Sequence, residues 1–350
     1  MTEQQSNNKN QGFALVLSDD ESLTSSQRLN LIEKELPSLR KGQVLIKMLA
    51  SPVNPSDLVY LLGKYGLPPQ DTAFCGFEGV GIVVDANAGF YGKWLKGKRV
   101  AISAQPGIDG VWAKYAITKA NFCLPVRKDI SDEQAATLIV NPCTSVCMVD
   151  RAKTLGAKAI VINAAASQVG KGAIRYAKRV GLKTIATVRS QANVDVLTKL
   201  GADHVLNTND EGFDETLKTL ASTLKATVLL DAVAADDTPR TLKAMPKGST
   251  AIVYGRLTET HDPIGGRFSV ADVIFRDIKI EGFWLATYIG NAKPWQVLAL
   301  SNKVQKLFAS GVFKTDIYAS VGFSGFAEAI DHYAVHKSDG KVILFPQLDD

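Results

Sequence analysis

The stretch Asn163-Ala-Ala-Ala-Ser-Gln-Val-Gly170 lies between an apolar run, Lys158–Asn163, and a segment with helical periodicity. Small side chains in such a turn let the backbone approach a pyrophosphate, and the following helix N-terminus supplies N–H donors and the positive end of a dipole. The stretch therefore predicts a dinucleotide-binding turn. An ordinary tight turn between a strand and a helix is the alternative, because Ser167 stands where many dinucleotide-binding folds have glycine.

The chain beyond about Ser131 alternates between apolar runs and helical patterns. The apolar runs that we predict as strands are Lys158–Asn163, Lys183–Val188, His204–Leu206, Thr227–Asp231 and Thr250–Tyr254. Buried strands that alternate with helices form parallel βαβ units with right-handed crossovers, so the pattern predicts a doubly wound parallel sheet. Three further elements are predicted after it, namely a strand at Ile278–Leu285, a helix near Trp295–Ser310 and a strand at Lys341–Phe345.

The region from about Gly12 to Lys128 is different, because it is rich in glycine, proline and β-branched residues. Strand-like runs at Val44–Leu49, Gly79–Val84 and Arg99–Ser103 are separated by turn signals, which predicts a mostly β domain. The predicted fold class is therefore α/β, with one doubly wound domain and one mostly β domain. We place the nucleotide-binding domain at residues 131–287, the β domain at residues 12–130 and 288–350, and a disordered polar tail at residues 1–11.

The composition limits the partners of the protein. The 350 residues include 40 Lys and Arg against 35 Asp and Glu, and this small, scattered excess does not indicate a nucleic-acid or anionic-membrane partner. Four cysteines in so long a chain do not make a disulfide framework, so we expect reduced, buried thiols. The sequence contains no apolar run of about 18 residues and no recognisable targeting segment, so a cytoplasmic protein is expected.

The residues after the second predicted strand indicate which nicotinamide cofactor is used. NAD-binding proteins place a carboxylate there for the ribose 2′-hydroxyl, whereas this chain has Arg189-Ser190-Gln191. A guanidinium and a hydroxyl suit a 2′-phosphate, which favours NADPH, although Arg189 could also be a solvated loop residue. A Walker-type phosphate loop is excluded, because Gly172 follows Gly170-Lys171 in place of Ser or Thr.

The sequence gives little indication of metal-dependent or hydrolytic chemistry. The four histidines are His204, His261, His332 and His336, and only the last two share a helical spacing, without a third ligand. We therefore expect a surface pair and no metal. Cys143 and Cys147 lie in an apolar stretch and are predicted to be core thiols. No G-x-S-x-G motif of a hydrolase nucleophile occurs in the chain.

Several segments resemble the medium-chain dehydrogenase/reductase superfamily, which implies a Rossmann domain joined to a GroES-like domain. Asn54-Pro-Ser-Asp57 and Gly63-Lys-Tyr-Gly66 are similar to the NPxD…GxY segment of its zinc-independent members. Phe74-Cys-Gly-Phe-Glu-Gly-Val-Gly81 resembles the segment that carries G-H-E in zinc alcohol dehydrogenases. Phe77 replaces the zinc-binding histidine of that segment, which implies that the catalytic metal is absent.

Within the superfamily the chain most resembles the 2-enoyl thioester reductases, over about residues 12 to 346. The matching segments occur in order and are Asn141–Ser145, Asn163–Gly170, Arg189, Tyr254-Gly255 and Ile274–Leu285. Gln168 and Arg256 depart from the family, which usually has glycine at both positions. Quinone oxidoreductases share several of these segments, but not the set Gly282-Phe-Trp-Leu285.

The resemblance implies hydride transfer from NADPH to an activated C=C bond, with Tyr65 as the proton donor. A tyrosine hydroxyl with its ordinary pKa of about 10 is protonated at neutral pH and can give its proton to an enolate. Asn54 would help to hold Tyr65 or the substrate carbonyl. The positions implied to bind or flank the cofactor are Asn141, Thr144, Ala166, Ser167, Gln168, Val169, Gly170, Arg189, Ser190, Tyr254, Gly255, Phe283, Trp284, Leu285 and Lys341.

Other interpretations stay open at this point. Tyr65 could be a packed aromatic in a surface turn, and Trp284 a core or interface residue. The chain could be an NADPH:quinone reductase, or a cofactor-binding protein without catalysis, since a fold does not fix a function. The resemblance also implies a homodimer in which the strand Ile278–Leu285 pairs across a two-fold axis, as suits an apolar edge strand.

Overall fold

The computed structural model describes residues 9–105, 108–257 and 266–349. The chain divides into two compact units, which we call unit 1 (Met1–Val140 and Pro294–Asp350) and unit 2 (Asn141–Lys293). The boundaries fall at Val140 and Pro294, later in the chain than the residues 130 and 288 that we predicted. Residues 131–140 belong to unit 1 because the Gln134 side chain donates to the carbonyl of Thr315 at 3.0 Å and accepts from its N–H at 2.8 Å.

Unit 1 contains a twisted, mostly antiparallel sheet. Its elements in the first chain segment are β1 (Lys9–Leu15), β2 (Leu29–Glu35), β3 (Gln43–Pro52), α1 (Pro55–Leu61), β4 (Glu78–Asn87), α2 (Gly89–Leu95), β5 (Arg99–Ser103), β6 (Tyr115–Lys119), β7 (Leu124–Pro125) and α3 (Asp132–Ala136). β1 and β2 pair with each other, while β3, β4, β5 and β7 are consecutive neighbours in the larger sheet and β6 pairs with β3. These bounds agree with the strand-like runs predicted from the sequence.

Unit 2 is built on a six-stranded parallel sheet, which confirms the predicted fold class. Its elements are α4 (Val140–Thr154, which begins at the last residue of unit 1), β8 (Ala159–Ile162), α5 (Gln168–Arg179), β9 (Lys183–Val188), α6 (Ala192–Leu200), β10 (His204–Asn207), α7 (Phe213–Leu224), β11 (Ala226–Asp231), α8 (Asp237–Ala244), β12 (Thr250–Val253), α9 (Val270–Phe275), β13 (Lys279–Gly282) and α10 (Leu285–Asn291). The strand order is β10-β9-β8-β11-β12-β13. The chain changes direction across the sheet beside β8, where such folds bind their ligands.

The C-terminal segment returns to unit 1. It contributes α11 (Pro294–Ala309), β14 (Ile317–Val321), α12 (Phe323–Val335) and β15 (Lys341–Leu344), and β15 pairs with β3. Phe326 on α12 packs its ring 5.0 Å from that of Trp112 and 4.8 Å from that of Phe13, so the returning helix covers the core of the sheet. All four cysteines are buried, as predicted.

Two predicted segments differ from the structure. The disordered tail was expected to reach Gln11, but β1 begins at Lys9, because the Asn10 side chain binds both the N–H and the carbonyl of Tyr115. Residues 1–8 of that tail lie outside the described residues. The last strand of unit 2 ends at Gly282 and not at Leu285, since helix α10 begins at Leu285. Within the described residues, no helix is both long and apolar enough to cross a membrane.

Candidate active site

Tyr65 lies in the loop that follows α1 in unit 1, and its ring packs against Phe77. The ring centroids are 5.1 Å apart, and Tyr60 on α1 contacts the same phenylalanine at 5.3 Å. Phe77 stands where the resembling zinc enzymes have a histidine ligand, and a phenyl ring offers no lone pair to a metal. Apart from the undescribed segments, one of which includes His261, no group of three or more His, Cys, Asp or Glu is arranged to hold a metal ion.

Asn54 precedes α1 and is completely buried between two charged side chains. Its Nδ2 donates to Oε1 of Glu78 at 3.1 Å, and its Oδ1 accepts a short hydrogen bond from Nζ of Lys341. The Lys341 ammonium also donates to the carbonyl of Val53 at 2.8 Å and to the hydroxyl of Tyr333 at 3.3 Å. Lys341 therefore holds Asn54 in unit 1, while its predicted contact with a cofactor stays a prediction.

Asp57 on the first turn of α1 connects this helix to the start of β4. One carboxylate oxygen accepts the Asn54 N–H at 2.7 Å, and the other accepts the Phe77 N–H at 3.0 Å. Pro55, at the first helical position, has no N–H that needs a hydrogen-bond partner. The N–H of Asn54, which precedes the proline, is bound by the Asp57 carboxylate. The sequence Asn54-Pro-Ser-Asp57 thus fixes both the beginning of α1 and the position of Phe77.

The charges of this cluster are buried from water. Burial raises the pKa of Asp57 and of Glu78, and the positive charge of Lys341 opposes both rises. Burial also lowers the pKa of Lys341, against the attraction of the two carboxylates. Glu78 and Asp57 were not among the predicted site residues. A carboxylate inside the apolar, glycine-rich stretch at the start of β4 is the signal that could have identified Glu78.

In unit 2, residues 163–170 form the tight turn between β8 and α5 that the sequence predicts. Ser167 precedes the helix, and its hydroxyl accepts the Gly170 N–H at 3.1 Å. A Cβ on Gly170 would lie only 2.5 Å from the carbonyl oxygen of Ala165, so the close approach of the helix to the backbone of the turn requires glycine there. Residues 166–169 are partly exposed, which leaves the helix N-terminus open to an anionic ligand.

The strand ends beside this turn are joined by Asn163. Its amide donates to Asp231 at 2.6 Å and to Asp237 at 2.8 Å, and its oxygen accepts the Ala232 N–H at 2.7 Å. At the end of the neighbouring strand β12, a Cβ on Gly255 would lie 2.9 Å from the Ala232 carbonyl oxygen. Sequence reasoning treated Asn163 only as the first residue of the turn and missed this function, because its partners are distant in the sequence.

Arg189 and Ser190 follow β9 directly and are exposed. The Arg189 carbonyl accepts a hydrogen bond from the Asn209 side chain at 2.9 Å, which fixes the backbone of this loop. Burial raises the pKa of Asp237, and the charge of Arg189 is among the influences that oppose this rise. These positions leave a cationic side chain accessible after the second strand.

The other predicted positions in unit 2 lie on α4 and around the end of the sheet. Asn141 and Thr144 are buried in the first turns of α4, and the Ser145 hydroxyl lies 2.9 Å from the carbonyls of both Asn141 and Val169. The start of α4 therefore packs against the start of α5. The Tyr254 hydroxyl is buried, and burial raises its pKa.

Phe283, Trp284 and Leu285 connect β13 to α10. The Phe283 N–H donates to the Val253 carbonyl at 2.8 Å, and Trp284 is 38% exposed. This exposure shows that Trp284 is not a core residue of the chain. The two alternatives that remain for it are a ligand contact and an interface.

Comparison with known proteins identifies the family. Residues 40–128 match the model of the alcohol dehydrogenase GroES-like domain, and residues 169–302 match that of the zinc-binding dehydrogenase. The mitochondrial enoyl-[acyl-carrier-protein] reductase of Rattus norvegicus is 32% identical over 87% of this chain and 81% of its own length. The Homo sapiens enzyme of that name is 31% identical over 85% of this chain and 79% of its own length. The chain belongs to the medium-chain dehydrogenase/reductase superfamily.

Two solved structures of other proteins share the fold. A structure described as a putative NADPH:quinone reductase from Mesorhizobium loti is 33% identical, with a TM-score of 0.87 over 97% of this chain and 99% of the other. The mitochondrial 2-enoyl thioester reductase heterodimer from Candida tropicalis is 20% identical, with a TM-score of 0.80 over 96% and 99%. The second likeness shows the fold alone, whereas the first also supports a common family.

Proposed function

We propose that this superfamily member is an NADPH-dependent oxidoreductase that reduces an activated C=C bond without zinc, with Tyr65 as the proton donor. The proposed substrate is a 2-enoyl thioester or a related α,β-unsaturated carbonyl compound. The observation that supports the proposal is the contact of Tyr65 with Phe77, the residue at the position of the zinc-binding histidine in the resembling zinc enzymes. The mitochondrial enoyl-[acyl-carrier-protein] reductases at 31–32% identity support this substrate class.

The residues of unit 2 fit a dinucleotide. The glycine at position 170 and the partly exposed turn that precedes it leave room for a diphosphate at the N-terminus of α5. Arg189 and Ser190 supply a cation and a hydroxyl for a 2′-phosphate, at the position where a carboxylate would select NADH. We therefore assign NADPH, held by the turn at residues 166–170, by Arg189 and by the segment Tyr254-Gly255.

The proposed chemistry divides into hydride transfer and protonation. Bound NADPH supplies the hydride, which no amino-acid side chain can supply. Because Phe77 cannot ligate zinc, the protein has no Lewis acid at this position, and its substrate must carry an electrophilic β-carbon already. The Tyr65 hydroxyl then donates its proton to the substrate α-carbon. Asn54 is fully buried, so we assign it to holding the start of α1 and not to contact with the substrate.

An NADPH:quinone reductase is the second candidate function. The 33% identity and the TM-score of 0.87 to the Mesorhizobium loti protein favour it, since that protein is described as such a reductase. A quinone needs no general acid of its own, because a reduced quinone is a stabilised anion that water can protonate. The two functions therefore differ in their dependence on Tyr65.

A substrate panel tests the proposal. Crotonyl thioester, a short enone and 1,4-naphthoquinone are each supplied with NADPH and with NADH, and the loss of nicotinamide absorbance is followed. We expect the highest kcat/KM for crotonyl thioester with NADPH. Reduction of naphthoquinone alone would favour the quinone reductase. If none of the acceptors is reduced, the interpretation that is left is a cofactor-binding protein without catalysis.

A further inference from the structure

The buried cluster around Asn54 contains three ionisable side chains that the proposed reaction does not use directly. Asp57 is 2% exposed, and Glu78 and Lys341 are 0% exposed. Two carboxylates and one ammonium in an apolar core are weak evidence for stability, because well-packed hydrophobic residues of similar volume often stabilise such a site as well or better. Their geometry shows what they do instead.

The Glu78 carboxylate accepts hydrogen bonds from two parts of unit 1. Oε1 accepts from Asn54, and Oε2 accepts the N–H groups of Ile139 at 3.0 Å and Val140 at 2.9 Å. These two amides immediately precede Asn141 in the chain. The carboxylate therefore connects the start of β4 both to the cap of α1 and to the segment that leads into α4.

The Asn54 amide can adopt only one orientation in this arrangement. Lys341 is a donor without acceptor atoms, and an ionised Glu78 is an acceptor without donors. A flip of the amide would direct its N–H₂ group toward the ammonium and its oxygen toward the carboxylate, and both contacts would be repulsive. The charges on either side thus determine how the buried cap residue is placed.

The same cluster holds the ring that Tyr65 packs against. Asp57 accepts the N–H of Phe77, and Glu78, the next residue, accepts the side-chain N–H of Asn54. Two consecutive residues where β4 begins are therefore hydrogen-bonded to the start of α1. The Phe77 ring then contacts Tyr60 and Tyr65. A small displacement of a group that positions a reacting atom can cost about 100-fold in rate.

We propose that Glu78 is a positioning residue that, with Asp57 and Lys341, fixes Asn54 and the Phe77 ring and thereby the place of the Tyr65 hydroxyl. The proposal rests on the proposed role of Tyr65 in protonation. In this role Glu78 acts through its neighbours Asn54 and Phe77.

The test compares Glu78→Gln, Lys341→Met and the double variant with Thr315→Val in the full-length protein. In Glu78→Gln, an amide N–H₂ must face either Asn54 or the two backbone N–H groups, and the ammonium of Lys341 keeps only Asp57 of its two carboxylate neighbours. Thr315 is also buried in unit 1, and its hydroxyl pairs with that of Thr137 at 2.7 Å without touching the cluster, so Thr315→Val is the control for a simple loss of stability.

We expect Glu78→Gln to lower both the melting temperature and kcat, the latter by about 10- to 100-fold, with an unchanged Kd for NADPH. In the double variant the Lys341 charge that lowers the pKa of Asp57 is absent, so this buried carboxyl is neutral at neutral pH and no buried charge remains. The melting temperature should therefore recover while kcat stays low. Recovery of both quantities would overturn the proposal, because it would show that the cluster serves stability alone. Thr315→Val should lower the melting temperature with kcat within about twofold.

A second readout does not depend on activity. 3-Fluorotyrosine is incorporated at position 65, and its ¹⁹F resonance is recorded for the parent protein, the double variant and Thr315→Val. We expect one resonance in the parent and in Thr315→Val, and a shifted or broadened resonance in the double variant. An unchanged resonance would overturn the positioning role. If the parent protein reduces no enoyl substrate, the proposed function fails, and this spectrum still decides the position of Tyr65.

Discussion

The ring of Tyr65 lies 5.1 Å from the ring of Phe77, at an interplanar angle of 34°. If Tyr65 donates the proton, Tyr65→Phe removes the hydroxyl and keeps this packing. We expect kcat with an enoyl thioester to fall by about 10²–10⁴-fold, as is typical for the loss of a general acid. The loss with a quinone should be small, and the Kd for NADPH should not change.

Tyr60→Phe is the matched control for this variant. Tyr60 contacts the same phenylalanine, and its hydroxyl accepts the Gln70 N–H at 3.2 Å. Its removal should leave kcat within about twofold. Near-full activity of Tyr65→Phe on every reducible substrate would show that Tyr65 is only a packing residue.

Arg189 is expected to set the preference for NADPH. Arg189→Ala should raise KM for NADPH by about 10- to 100-fold, because a hydrogen bond to a charged group contributes about 1.5–3 kcal/mol. KM for NADH should change little, since NADH lacks the 2′-phosphate. The control is Arg179→Ala at the exposed C-terminal end of α5. Equal use of both cofactors by the unmodified protein would contradict the assignment.

Gly170 is expected to tolerate no side chain. A Cβ placed 2.5 Å from the Ala165 carbonyl must displace the turn from the first residues of α5, so Gly170→Ala should lower the melting temperature and weaken NADPH binding. Gly290→Ala is the control, because its Cβ would meet no atom within 4 Å and Ala favours the helix by about 0.5–1 kcal/mol. Differential scanning calorimetry and a cofactor titration measure both effects. A stable Gly170→Ala variant that binds NADPH normally would refute the close approach.

The buried carboxyl of Asp57 should make stability depend on pH. Burial raises its pKa from 3.8 to about 7, so the folded protein binds a proton that the unfolded chain releases between these values. The cost of the buried charge is present above pH 7 and disappears as the pH falls. Lys341 has a folded pKa of about 8 and an unfolded value of 10.5, so its own effect on stability does not change below about pH 7.

Asp57→Asn isolates this effect. As the pH falls from 7.5 to 5, the melting temperature of the parent protein should rise relative to that of the variant, by roughly 5 °C. Acidic groups remote from the cluster titrate equally in both proteins, so the difference between the two melting curves reports the buried cluster. A constant difference across this range would show that Asp57 keeps an ordinary pKa.

We expect the protein to form a homodimer through the exposed edge strand of the unit 2 sheet. β13 is the last strand of the sheet, and Ile280 on it is 46% exposed. An edge strand presents unpaired backbone N–H and C=O groups that can pair with a second copy. Light scattering should report a dimer at micromolar concentration for the parent and a monomer for Ile280→Lys. Val196→Lys on α6 has the same 46% exposure and should remain dimeric. A monomeric parent protein would contradict this assembly.

The sequence predicts the sheet of unit 2 well, because each buried strand is a short apolar run with a helical pattern after it. It misplaces the boundary at residue 130, because the Gln134–Thr315 hydrogen bonds join residues 181 positions apart and leave no local pattern. The end of β13 is likewise misjudged, since the apolar residues Phe283-Trp-Leu285 follow the strand directly and look like its continuation, although β13 itself is Lys-Ile-Glu-Gly. Apolar character alone does not tell a strand end from a helix start.

The candidate site is predictable to a different extent in each unit. The turn at residues 163–170 is local, so spacing alone identifies it, and Tyr65 follows from the resemblance to a family. The surroundings of Asn54 are not predictable in this way. Glu78 lies 24 positions from Asn54 and Lys341 lies 287 positions from it, and only the folded sheet brings them to one amide.

The pairing of β15 with β3 also has a consequence for biosynthesis. A ribosome makes Asn54 long before it makes Lys341, and domains generally fold in the order of their synthesis. Unit 1 cannot follow this order, because β15 and Lys341 are made only after unit 2. Until then Asn54 lacks the hydrogen bond from Lys341, Glu78 lacks its counter-ion, and the nascent first segment exposes an incomplete sheet.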